Sequence, residues 1–300
     1  MKRLMIALLT PLLLSVASPS AFGSVVWVVN PDSGDIVQID PRSGDVLGSF
    51  AAPTKPEGDQ NVGLTIADGG RTLLYQLGSP PFDEERKTVY ELDPYTGLLL
   101  NMFSVDVQPG PSGLSWSEKD DSEYLFTVHT SGDVHRITDP RSGGIDTFDW
   151  GPFGSSPSPD FSWTGIAPAG GLGGDSTRRQ FGLYCMLATQ GGPDECSGQP
   201  LFIGEFDPYM DLQDFINFFP APASDTIGLA FSNDVLFAST VSGRLLTLDP
   251  NTGAILWDVA LPFSFAPYDI AAVVPEPASL TLFGIGVAIV MRRMRRRATR

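Results

Sequence analysis

From residue 25 onward, short runs of apolar and β-branched residues alternate with breaks rich in Gly, Pro and Asp. Runs such as Val25–Val29, Leu73–Leu77, Val89–Leu92 and Leu245–Leu248 have the length of strands and are too short for helices. The breaks repeat. D-P-R-S-G stands at 40–44 and 139–143, D-P-Y-T-G at 93–97, D-P-N-T-G at 249–253, and a degenerate D-P-Y-M-D at 207–211. Each has a strand-like run on both sides. Pro pre-sets the first central φ and Gly supplies a position with φ > 0, so each copy predicts a hairpin.

A second signal keeps the same count. Gly-Leu or Gly-Ile opens a short run at 63–64, 113–114, 165–166 and 228–229, and Asp269-Ile270 is the fifth member. One further strand lies between the two signals each time. The unit is therefore four strands, a to d, repeated five times, which predicts an all-β, five-bladed β-propeller. The N-terminal copy starts at strand b (Val25–Val29), and the C-terminal end supplies a spare strand a (Asp269–Val274). Pairing the two completes one blade from both ends of the chain and removes a free edge.

In this topology the d–a and b–c connections share one face, and the a–b and c–d connections share the other. The long segments Ala51–Gln60, Gly78–Lys87, Gly151–Asp160 and Thr189–Pro200 all fall on the first face. Rigid scaffolds carry function in such loops. The starts of the a strands bring Asn61, Trp163, Asp225, Tyr268 and Asp269 to the same end of the channel, as candidate ligand-binding residues. Trp163 and Tyr268 suit stacking on a sugar, and Asp225 and Asp269 suit its hydroxyls or a cation. Asp269 replaces the glycine of the other copies.

The two ends read as addresses. Residues 1–23 have a basic start, an apolar run from Leu4 to Val16 and small residues near Gly23, the layout of a secretory signal peptide. Residues 275–300 begin with Pro275-Glu276-Pro277, continue as an apolar run from Ala278 to Met291 and end in six arginines. Fourteen helical residues rise about 21 Å, short of the roughly 30 Å hydrocarbon core, so the expected helix spans a membrane only with its flanking arginines snorkelling. The domains are thus a signal peptide at 1–23, the propeller at 24–274 and a sorting tail at 275–300.

The tail resembles the PEP-CTERM sorting signals of Gram-negative bacteria. That resemblance implies processing by an exosortase, transient anchoring in the inner membrane and a final place at the cell surface or outside the cell. It also implies association with exopolysaccharide or biofilm. The body resembles propellers with YVTN-type or quinoprotein-like repeats, most closely at L-D-P-N-T-G-A-I-L-W (248–257), but only this copy ends in Trp. No quinone or other cofactor is expected.

Charge sharpens the picture. Net charge is −16, yet residues 24–274 hold 11 of the 19 basic residues and 34 of the 35 acidic ones. A body of −23 is a poor partner for nucleic acid. The two cysteines, Cys185 and Cys196, are expected to pair in an oxidising compartment. The two histidines flank Ser131-Gly132. A two-residue turn there would pair His129 with Val134 and place His129 and His135 on opposite faces, so no metal ligand set is expected. The Asp residues of the repeated turns read as backbone acceptors, and no catalytic set is assigned. The function expected is a non-catalytic binding or matrix protein. The alternative is a carbohydrate-active or other hydrolytic enzyme using channel-facing carboxylates.

Overall fold

The computed structural model describes residues 24–56, 62–77, 88–105, 111–119, 122–129, 134–143, 148–150, 166–174, 179–186, 200–206, 215–263 and 269–273. Among the described residues of Val25–Val273, which form one compact unit, twenty strands make five four-stranded antiparallel sheets. Blade 1 contains β1 (Val25–Val29), β2 (Asp35–Ile39) and β3 (Val46–Ala51). Blade 2 is β4 (Val62–Ala67), β5 (Thr72–Leu77), β6 (Thr88–Leu92) and β7 (Leu99–Ser104). Blade 3 is β8 (Pro111–Lys119), β9 (Ser122–His129), β10 (Val134–Thr138) and β11 (Phe148–Trp150). Blade 4 is β12 (Ile166–Gly174), β13 (Gln180–Met186), β14 (Leu201–Phe206) and β15 (Phe215–Pro220). Blade 5 is β16 (Thr226–Ser232), β17 (Val235–Thr240), β18 (Arg244–Leu248) and β19 (Ile255–Ala260). The last strand, β20 (Ala271–Val273), joins blade 1 beside β1.

The closure is as the repeat count demands. Val25 opposes Val273, Val26 opposes Ala272 and Trp27 opposes Ala271. The inner strands pack in the ring β4, β8, β12, β16, β20 and back to β4. The closing strand is shorter than Asp269–Val274, because Asp269 and Ile270 precede the paired segment.

Alternation within each strand places apolar residues between neighbouring blades, not inside one sheet. Trp27, Val29 and Ile36 of blade 1 pack with Leu64, Leu73 and Tyr75 of blade 2. Leu74 and Val89 of blade 2 pack with Trp116 and Leu125 of blade 3. Phe181 and Ile203 of blade 4 pack with Phe231 and Leu236 of blade 5. Each such side chain, fully buried, contributes about 1.5–3 kcal/mol. The inner and middle strands are buried, whereas the outermost strands β3, β7 and β19 are largely exposed.

The repeated turns do more than reverse the chain. Gly44, Gly97 and Gly253 have φ of 77°, 71° and 70°. A side chain at Gly97 would run into Phe50 of blade 1, and one at Gly253 into Phe219 of blade 4. The glycine therefore serves the turn and the contact with the preceding blade at once. In three copies the Asp accepts the backbone N–H two residues on: Arg42 to Asp40 at 2.8 Å, Tyr95 to Asp93 at 3.0 Å and Asn251 to Asp249 at 2.8 Å. The copy at 139–143 departs. Asp139 sits at φ 47°, a 3-10 turn follows, and its carboxylate accepts the N–H of Glu123 at 3.1 Å.

The histidine hairpin is a second correction. Val128 opposes Val134 and Thr127 opposes His135, one residue away from the register of a two-residue turn. A one-residue slip reverses the face of every side chain along a strand, so the argument that separated His129 from His135 falls.

Among the described residues, no helix is long and apolar enough to cross a membrane. The segments expected to be a signal peptide (1–23) and a sorting tail (275–300), and the segments 78–87, 151–160 and 189–199, lie outside the described residues.

Candidate functional site

The inner strands meet around the axis with one sheet edge each facing the channel, where backbone N–H and C=O groups have no neighbouring strand. Space there is short. A Cβ at Gly63 would come within 2.5 Å of Leu114 Cγ in the next blade. At the corresponding place in the closing segment stands Asp269, fully buried. Its two carboxylate oxygens accept the backbone N–H of Leu114 in blade 3 at 2.9 Å and of Leu229 in blade 5 at 3.1 Å. Its own N–H donates to the carbonyl of Val62 in blade 2 at 2.9 Å. One residue of blade 1 thus ties down three other blades. An unpaired carboxylate at this depth would cost several kcal/mol, and the two charge-assisted bonds from the inner-strand edges offset that cost.

Of the other channel-end candidates, Asp225 is half-buried in the connection between blades 4 and 5. Its carboxylate accepts the N–H of Ser242 at 3.0 Å and its carbonyl accepts the N–H of Val241 at 2.9 Å. It therefore pins the b–c turn of blade 5, on the same face as its own d–a connection, which agrees with the face assignment. Asn61, Trp163 and Tyr268 lie outside the described residues. Cys185 lies in β13 opposite Ala167 and Leu201, and Cys196 lies outside the described residues. Pro275, Glu276 and Pro277 lie outside them too.

The opposite face carries two arginine clusters that sequence reasoning missed. Arg141, in the c–d turn of blade 3, reaches Asp68 at 2.7 Å and Glu91 in blade 2, and Glu123 of its own blade at 2.5 Å. Its guanidinium also lies 4.9 Å over the Trp116 ring. Arg179, at the start of β13, bonds Glu205 of blade 4 at 2.7 Å, and in blade 5 Asp234 at 3.2 Å and Asn251 at 3.1 Å. Glu91 and Glu205 each stand two residues before an Asp-Pro turn, and both are almost fully buried. Gln38, at the same place in blade 1, donates to the carbonyls of Pro94 and Tyr95 in the blade 2 turn at 3.1 and 3.2 Å. The legible signal was this polar residue interrupting an apolar strand.

Electrostatics follow from this packing. Burial opposes ionisation of Asp68, but hydrogen bonds from Arg141 and Thr72 and the charges of Arg141 and Arg71 outweigh it, holding the carboxyl below its ordinary value. Burial pushes Glu123 upward against the pull of Arg141, with Asp68 and Glu118 adding repulsion. Burial works against the Arg141 cation, yet its bonds to Asp68 and Glu91 raise it above the ordinary arginine value. These carboxylates are committed to holding blades together.

Comparison with known proteins identifies the tail. The PEP-CTERM protein-sorting motif matches residues 273–297. The chain therefore carries a PEP-CTERM sorting signal, which implies export through membrane-anchored sorting. No curated protein matches the sequence. Similar solved structures include BBS1N in complex with ARL6DN (9% identity, TM-score 0.37, covering 77% of this chain and 63% of that one). The Pan2 WD40 domain of Neurospora crassa is 14% identical with a TM-score of 0.34, over 82% of this chain and 61% of that one. BamB from Moraxella catarrhalis is 14% identical with a TM-score of 0.28, over 81% of this chain and 62% of that one. The chain spans under two thirds of the length of each.

Proposed function

We propose that the chain is exported behind a cleaved signal peptide (1–23) and held transiently in the inner membrane by the segment 278–291. An exosortase then processes it at Pro275-Glu276-Pro277, and the propeller acts at the cell surface or outside the cell as a non-catalytic binding or matrix component of the exopolysaccharide layer. The sorting motif supports export and the processing partner. The observation that favours binding over hydrolysis is Asp269. The enzyme reading needs a carboxylate free to reach substrate in the channel, whereas both oxygens of Asp269 accept backbone N–H groups.

In this reading a polysaccharide meets the face bearing the d–a and b–c loops, with Trp163 and Tyr268 stacking on sugar rings and Asn61 and Asp225 holding hydroxyls. The test has two parts. Replacing 275–277 by three alanines should leave full-length chain in the inner-membrane fraction, and unchanged processing would refute the sorting claim. A glycan array with the processed protein should give a polysaccharide hit that Trp163→Ala and Asp225→Ala weaken. Turnover of a glycan would refute the non-catalytic claim, and loss of binding only from substitutions in the D-P-x-x-G turns would place the site on the wrong face.

A further inference from the structure

The closing blade fixes where both flanking segments leave the propeller. Val25 opposes Val273, so the chain enters β1 and exits β20 at the same end of one sheet. That end belongs to the face of the a–b and c–d turns, opposite the proposed ligand face. A single row of paired residues crosses the sheet there: Ala272, Val26, Ile39 and Val46. Three inter-strand steps put β3 about 14 Å from β20.

The covalent chain limits how far the sorting motif can stand from that row. Pro275 follows Val273 by two residues, a reach of about 7 Å, and Pro277 lies within about 14 Å of it. An enzyme that closes on Pro275-Glu276-Pro277 therefore meets the end of blade 1 unless β20 peels away. Peeling is opposed, because Ala271 and Ala272 are buried and Asp269 is bonded to blades 2, 3 and 5.

Beside the charged c–d turn, this end also exposes aliphatic side chains. Val46 and Leu47 are 53% and 54% exposed at the start of β3. The same position beside the c–d turn carries exposed Leu98, Leu99 and Leu100 in blade 2, and exposed Ile255, Leu256 and Trp257 in blade 5. On a body this acidic, apolar side chains exposed at the tether point, Val46 and Leu47, suit a largely apolar partner.

We propose that the outer-strand residues Val46 and Leu47, at the face where the tail departs, form a docking surface for the membrane-embedded processing enzyme. The motif is then delivered by a folded, closed propeller and not by a free peptide. This rests on the exosortase reading above.

The experiment uses the full-length chain in an exporting cell that processes it. Val46→Ser with Leu47→Ser should slow conversion of full-length to processed chain about five-fold in a pulse-chase. A ten-residue Gly-Ser insertion between Val274 and Pro275 should make the rate insensitive to that double change. A photo-crosslinker at Leu47, in a chain whose 275–277 are alanines, should capture the tagged exosortase. The same probe at Val241, exposed in the b–c turn of the opposite face, should not. Wild-type processing of V46S/L47S, or crosslinks from Leu47 only to lipid or to a second copy, overturns the docking surface. Processing that ignores the alanine replacement of 275–277 overturns the exosortase reading instead.

Discussion

The carboxylate of Asp269 accepts the backbone N–H of Leu114 at 2.9 Å across 155 residues of sequence. Its other oxygen holds Leu229 in blade 5. The ring thus closes through more than the three paired residues of β20. The spare strand completes blade 1, and Asp269, two residues before it, fastens the channel edges of blades 2, 3 and 5.

Replacing Asp269 should therefore unlatch the ring. Asp269→Ala leaves two buried N–H groups without their acceptor and should cost about 2–4 kcal/mol. At about 2–4 °C per kcal/mol for a body of this size, Tm falls by roughly 4–16 °C. Asp269→Asn keeps one oxygen acceptor and should lose about half as much. Thermal unfolding followed by circular dichroism checks both, and an unchanged Tm for the alanine variant would refute the latch.

The two D-P-R-S-G copies offer a comparison at constant sequence. Arg141→Ala strands Asp68, Glu91 and Glu123 and should cost about 2–3 kcal/mol, less than for a fully buried pair because the site is partly exposed. Arg42 lies 5.1 Å over Trp257 at the surface, so Arg42→Ala should cost about 0.5 kcal/mol. Urea unfolding distinguishes them, and equal effects would refute the assignment.

The same cluster has a pH signature. Asp68 is lowered from 3.8, so its stabilisation is present above pH 3.8 and is lost as pH falls through the lower folded value. Glu123 is raised from 4.5, so its contribution is present below pH 4.5 and is lost as pH rises through the higher folded value. Asp68→Asn should flatten the acid limb of the stability profile below pH 3.8. Glu123→Gln should flatten the decline above pH 4.5. Tm measured from pH 3 to 7 tests both slopes.

Two glycines of like φ separate backbone strain from packing. Gly97 and Gly143 both have φ of 71°. Among the described residues, a Cβ at Gly143 meets nothing within 4 Å, whereas one at Gly97 meets the Phe50 ring. Gly143→Ala should cost about 1 kcal/mol, and Gly97→Ala should add about 1–3 kcal/mol for overpacking. Urea midpoints of the two variants check the difference, and equal midpoints would refute the wedge.

The cysteines give a chemical test. If Cys185 and Cys196 pair, intact mass after alkylation without reductant shows no added label, and Cys196→Ser lowers stability by about 2–3 kcal/mol. Two labelled thiols in exported protein would refute the bond.

Much of this architecture was legible in the chain. The D-P-x-x-G spacing gave the turns, the Gly-Leu spacing gave the inner strands, and their mismatch at the two ends gave the closure. These are local properties: φ > 0 at a glycine, a fixed φ at proline and an alternation of period two are written into neighbouring residues. The tail motif is local in the same sense.

What each residue does was decided elsewhere. D-P-R-S-G at 40–44 makes an Asx-type turn whose Arg42 lies on Trp257, while D-P-R-S-G at 139–143 makes a 3-10 turn whose Arg141 enters three carboxylates. Five identical residues cannot encode that difference. It comes from the neighbouring blade, which offers an aromatic ring in one case and Asp68 with Glu91 in the other. Asp269 shows the same limit. The sequence alone put a carboxylate at the channel, and only the ring supplied the two amides, from blades 3 and 5, that turn it from a candidate ligand group into the latch of the fold.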